Sequence, residues 1–144
     1  MNRKRLGLLL FGLATLQVAS SCKKDEEQCL AGSGGGASLV LYPQHHGDPI
    51  IGIPGYVDSA FIKFNASDFS GDDPSKYDLV IAGEVGSNNI RVNGLKCGKY
   101  YIFMTGKDTN LVVVDQQRVK GGIPFTIEEG FSETKSVIVP VTED

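Results

Sequence analysis

The sequence predicts an all-β protein, a single antiparallel β-sandwich, and three observations carry that expectation. Seven short runs alternate apolar and polar residues or concentrate β-branched and aromatic ones. Clusters of Gly, Pro, Asn and Asp part these runs at short intervals. No window of about a dozen residues keeps a helical period.

The chain opens on Asn2-Arg3-Lys4-Arg5, continues with an apolar run from Leu6 to Val18, and reaches Cys22 through Ala19-Ser20-Ser21. Positive, then apolar, then small is the order of a secretory signal. The run of 13 residues is shorter than the roughly 20 that cross a bilayer as a helix, so residues 1–21 read as a cleaved signal peptide. The small residues before Cys22 resemble a lipobox, with Ala19 where leucine is usual, which implies a lipid on Cys22. Secretory cleavage near Ser21, leaving a soluble protein, is the alternative. The block KKDEE that follows resembles the export signal of Bacteroidetes lipoproteins. It implies a lipid-anchored protein of the outer membrane that faces the cell exterior; the alternative is a solvated spacer.

Three of the 14 basic residues precede Cys22, which leaves 11 against 17 acidic ones and a formal charge of −6 on the mature chain. With no basic stripe and no Trp, nucleic acid is not an expected partner. An acidic protein also stands off from an anionic membrane, so the Cys22 lipid would be its attachment to the outer membrane. The 123 residues after the signal suit one domain. With Cys22 consumed by lipid, Cys29 and Cys97 remain as an even pair in an oxidising compartment and are expected to form a disulfide.

Residues 22–36, from the lipidated cysteine through GSGGG, have no period and read as a flexible tether. A phosphate-cradling loop would need a strand before the glycines and a helix after them. The folded domain is expected over 37–144. Its strands are ASLVLYP, stopped by Pro43, and SAFIKFN, with Phe61, Lys63 and Asn65 opposite Ile62 and Phe64. NIRVNGL, KYYIFMTG, NLVVVDQQRV, IPFTI and SVIVPVT follow. One helical turn is expected at DDPSKYD, where Pro74 follows Asp73. Pro140 lacks a ladder donor, so its strand should be an edge or carry a bulge.

At HHGDPIIG and IRVNGLKCGKYYIFMTGKD the chain resembles carboxypeptidase-regulatory-like and transthyretin-like (prealbumin-like) domains. The residues concerned are Gly47, Pro49, Ile50 and Gly52, then Gly94, Leu95, Gly98 and Tyr100, and the resemblance spans about 37–142. PQHHG, SKYD, GLKCGKYY, GGIP and the terminal VTE resemble a group of small Bacteroidetes lipoproteins of unassigned activity. The residues themselves suit that architecture. Gly94 and Gly98 bracket a tight connection where positive φ is expected. Tyr100 should bury its ring at a sheet corner and give its hydroxyl a backbone partner.

Chemistry is sparse. His45 and His46 are the only histidines, and as neighbours on an extended segment they should point to opposite faces, poorly placed to share an ion. A metal site joining one of them to a carboxylate such as Asp48 or Asp58 is the second reading, against a turn-stabilising or surface pair. No G-x-S-x-G motif occurs, and the chain ends in PVTED rather than the Tyr-Arg-Gly-Ser type of the transthyretin-like hydroxyisourate hydrolases. Adjacent histidines do not suit the intradiol dioxygenases. No catalysis and no cofactor are expected. The loop NASDFSGDDPSKYD holds Asp68, Asp72, Asp73 and Asp78, with Tyr77 before the last, and is read as a solvated connection rather than a calcium loop. Asp58-Ser59-Ala60 resembles a Bacteroidetes O-glycan acceptor, with Ser59 the modified residue. The expected function is a non-catalytic envelope module that offers His45, His46 and the Asp68–Tyr77 loop, or a sheet edge, to a protein or glycan partner. A metal-binding lipoprotein and a strand-pairing structural subunit are the alternatives.

Overall fold

The computed structural model describes residues 29–113 and 117–144. The signal peptide and Cys22 lie outside the described residues, as does the first part of the expected tether, residues 22–28. No described helix is long and apolar enough to cross a membrane.

The described chain is all-β. Its strands are β1 (Ser33–His45), β2 (Asp48–Pro49), β3 (Ser59–Phe64), β4 (Leu79–Ala82), β5 (Ile90–Leu95), β6 (Gly98–Lys107), β7 (Arg118–Ile127) and β8 (Thr134–Glu143). They form one curled mixed sheet in the order β2-β1-β8-β7-β6-β3-β4, with β5 on the other flank of β1. The expected purely antiparallel pairing is corrected at one ladder: β1 and β8 run parallel from Ser38↔Thr134 to His45↔Val141. Period-two residues line the concave side, where Leu39, Leu41, Ile62, Tyr100, Ile102, Met104 and Val139 are fully buried.

The outer face of β3 and β6 is covered as well. Phe61 and Phe103 alternate with core residues and pack against Tyr77, whose hydroxyl donates to the Gly71 carbonyl at 2.9 Å. The loop that carries Tyr77 contains the expected helical turn, a single 3-10 turn at Pro74–Lys76 capped by Asp73.

The flexible tether up to residue 36 is corrected. β1 begins at Ser33, and residues 29–32 are already fastened to the sheet. Ala31 is buried, its N–H donates to Asn65 Oδ1 at 2.9 Å, and the Gly32 N–H donates to the Tyr100 hydroxyl at 3.1 Å. The glycines serve close approach here rather than mobility. A Cβ on Gly35 would lie 2.1 Å from the Leu95 carbonyl oxygen, where β1 bulges against β5. Cys29 and Cys97 lie at disulfide distance, with Cα atoms 5.3 Å apart.

Several local expectations hold. Gly94 and Gly98 have φ of 72° and 136°. Tyr100 is fully buried and donates to the Lys96 carbonyl at 2.6 Å. Pro140 pairs on one side, with Gln44; toward β7 the β8 ladder reaches only Thr142 and Glu143, so its missing N–H leaves no ladder partner unpaired. Two strand readings change. The valine run is no strand at Asn110–Val113, where Val112 is almost fully exposed, and LVIA forms the edge strand β4 instead. The latter gains its pairing from β3, a non-local partner.

Candidate functional site

The two poles of the sheet differ. One holds Cys29, Cys97 and the fastened N-terminal segment. At the other, β1, β6 and β8 end together in His45, Asp108 and Glu143.

His45 closes the inward row Leu39, Leu41, Pro43, and Glu143 extends the inward row Val137, Val139, Val141. Parallel pairing brings the two rows out at the same mouth, since His45 is paired with Val141. Asp108 follows β6 directly, and its N–H donates to the Gln117 carbonyl across the β6–β7 connection. The His45 ring is 2% exposed and lies between two carboxylates: Nδ1 is 2.8 Å from Asp108 Oδ2 and Nε2 is 3.2 Å from Glu143 Oε2.

Beyond His45 the chain reverses through His46 and Gly47, with φ of 51° and 91°, and His45 pairs with Asp48. Two central residues at positive φ make this a type I′ hairpin turn. The expectation that His45 and His46 point apart is therefore corrected. Alternation holds along a strand, but His46 sits in the turn, and the ring centroids are 4.1 Å apart. His46 Nε2 lies 3.9 Å from Glu143 Oε1 and its side chain is 76% exposed. The carboxylates beside the histidines are Glu143 and Asp108, not Asp48 or Asp58. One ligand atom each from His45, His46 and Glu143 falls within a 4.8 Å group.

Electrostatics follow from this clamp. Burial works to lower the His45 pKa, but Asp108 and Glu143 outweigh it and hold the value above that of a free imidazole. Burial works to raise the Asp108 pKa, and the His45 hydrogen bond with the Asn110 amide outweighs that, leaving it below the usual carboxylate value. Glu143 is held low by its own backbone N–H first and by His45 second. Because carboxylate Oδ2 only accepts, Nδ1 of His45 must carry hydrogen. Nε2 is buried and has no aligned hydrogen bond among the described residues. Neutral His45 would therefore aim an unshared lone pair at Glu143. The arrangement suits a proton or a cation between them.

Asp58 lies at the same pole, 2% exposed, with Oδ1 unpartnered among the described residues. Burial pushes its pKa up to about 6.

The remaining expected site residues do not converge. Asp73 caps the 3-10 turn, Asp72 pairs with Lys120 at 3.3 Å, and Asp68 accepts from Ser67 at 3.3 Å. Tyr77, expected to be exposed, is buried against Phe61 and Phe103, because a ring beside an aromatic sheet face packs there. Ser59 is half-buried in β3, paired with both Ala82 and Thr105. Beside the loop, Phe61 and Phe103 floor a groove of about 380 Å³ flanked by Tyr56, Asp72, Arg118 and Lys120. Sequence reasoning passed over Asp108 and Glu143; the signal was the terminal VTE continuing an alternating strand.

Comparison with known proteins finds no matching family model, no matching curated protein and no matching solved structure.

Proposed function

We propose that this chain is a non-catalytic, lipid-anchored module of the outer membrane that holds a ligand at the pole of its sheet turned away from the anchor. The observation that carries this reading is the placement of the His45–Asp108–Glu143 clamp and exposed His46 at the pole opposite Cys29 and Cys97. Seven positions separate Cys22 from Cys29, and the 13 residues of β1 span about 40 Å from one pole to the other. A chain lipidated at Cys22 would then display the histidines outward. We read the curl as a transthyretin-like sandwich, with β4-β3-β6-β7 facing β5-β1-β8; the short β7–β8 ladder, two residue pairs long, supports two layers. Against catalysis, Nε2 of the Asp108–His45 pair meets a carboxylate and not a nucleophilic hydroxyl.

A second reading rests on the groove over Phe61 and Phe103. Aromatic edges between paired charges suit a glycan or peptide partner, and they keep the partner-binding module in view.

Fractionation tests the anchor. Cys22→Ala should move the protein out of the membrane fraction. Replacing Lys24, Asp25, Glu26 and Glu27 with Ala should leave it lipidated but protected from protease added to whole cells. Unchanged protease sensitivity would overturn the outward orientation.

A further inference from the structure

We propose that His45, His46 and Glu143 bind one divalent late first-row transition ion, Zn²⁺ or Cu²⁺, with Asp108 as the positioning residue behind His45. The inference names the ligand of the pole described above and rests on that pole being the working one.

Three observations carry it. The first is the donor set: two imidazoles and one carboxylate within 4.8 Å, on side chains of β1, its hairpin turn and β8. Such a mixture suits zinc and copper, whereas calcium and magnesium call for oxygen shells. The second is the lone pair. With Nδ1 committed to Asp108 at 2.8 Å, His45 presents Nε2 as its ligand atom; that atom is buried, without an aligned hydrogen bond, and turned toward Glu143. The third is the support behind the ligand. A ligating histidine ordinarily donates its other N–H to a carboxylate, which fixes ring and tautomer. Asp108 occupies that place and is itself fixed, accepting the Asn110 N–H at 2.9 Å on its other oxygen.

His45 is the immobile ligand. His46, largely exposed on its turn, is the one that swings to receive an ion from solvent, and Glu143 is half-exposed beside it. Three protein ligands leave a coordination position open to water or to a group from a partner.

The test uses the full-length chain in detergent, stripped with a chelator and titrated with Zn²⁺ or Cu²⁺ against a competing chelator. One equivalent should bind with a Kd tighter than about 1 μM. His46→Ala, on an exposed ring, and Glu143→Gln should each weaken binding at least about tenfold with the fold intact, as judged by near-ultraviolet circular dichroism. Asp108→Asn, which retains all three ligands, should weaken it about 10–100-fold. Electron paramagnetic resonance of the Cu²⁺ form should show coupling to two nitrogens in the native chain and to one in His46→Ala. The triple change of Asp68, Asp72 and Asp73 to Asn should leave affinity alone. Cys22→Ala should lose the membrane and keep the ion, which separates this proposal from the anchoring. No stoichiometric binding, or binding that survives both His46→Ala and Glu143→Gln, would overturn it.

Discussion

Asp58 and His45 are both buried ionisable residues whose pKa values are raised, one because its neutral form is favoured and the other because its charged form is. Asp58 gains no donor among the described residues, so the folded state prefers it protonated, with a pKa of about 6 against 3.8 unfolded. A carboxyl with a raised folded pKa binds more protons folded than unfolded between those values, so stability falls as pH rises through that window. Asp58→Asn is expected to stabilise the protein by about 1–3 kcal/mol at neutral pH, with the gain shrinking below pH 6 and absent near pH 3.8. Urea unfolding at several pH values reads this directly. His45 shifts stability with pH in the same sense, but because its charged form is the one favoured. Its folded pKa is raised by carboxylate partners, so its stabilisation is complete below the unfolded value of 6.5 and fades as pH climbs through the folded value. Asp108→Asn, measured with chelator present, should therefore cost about 2 kcal/mol in mildly acid solution and less in alkali. An equal loss at both ends would show that the imidazolium is not the partner.

Among the elements, β1 makes the most varied contacts, with β2, β5 and β8, and its glycines decide how it reaches β5. Gly35 and Gly55 separate two uses of the same residue. A Cβ at Gly55 meets nothing but sits at a φ of 81°, so Gly55→Ala should cost about 1–2 kcal/mol from left-handed strain. At Gly35 the Cβ would sit against the Leu95 backbone, and relief requires separating two strands. Gly35→Ala is expected to cost about 2–4 kcal/mol. Hydrogen exchange should show the added loss in amides of β1 and β5. Equal destabilisation by the two changes would mean that the bulge tolerates a side chain.

At the scale of the molecule, the disulfide joins segments 68 positions apart and locks the entry of the chain to the pole opposite the histidines. Loop closure of that length is worth about 4 kcal/mol in the chain-entropy picture, provided the bridged segment is ordered when folded. Ala31 and Gly32 meet that condition through Asn65 and Tyr100. Cys29→Ser with Cys97→Ser should thus lower stability by about 2–4 kcal/mol and free the N-terminal segment first. Proteolysis should then cut before residue 33 while the sheet survives. A double variant with unchanged urea midpoint would assign the ordering to the Asn65 and Tyr100 contacts alone.

What was legible in the sequence was local or chemically self-sufficient. Alternation marked β3, β5 and β8, Asp73-Pro74 marked the 3-10 turn, Gly94 and Gly98 marked positive φ, and Tyr100 announced a buried ring with a satisfied hydroxyl. The cysteine pair followed from the parity left if Cys22 is taken by lipid and from the oxidising compartment that reading expects. Tertiary structure alone decided the parallel β1–β8 ladder, because two alternating strands carry the same pattern whichever way they run. That ladder sets Glu143 beside His45, and the end of β6 adds Asp108, 63 positions from the histidine it holds. GSGGG was misread for a similar reason: composition records that side chains are missing, and only packing tells whether the space is left to motion or filled by a neighbouring backbone. The histidine cluster is thus a product of register. Neighbours in sequence were brought to one side by a left-handed turn residue, and their carboxylates came from strands whose meeting no short stretch of sequence encodes.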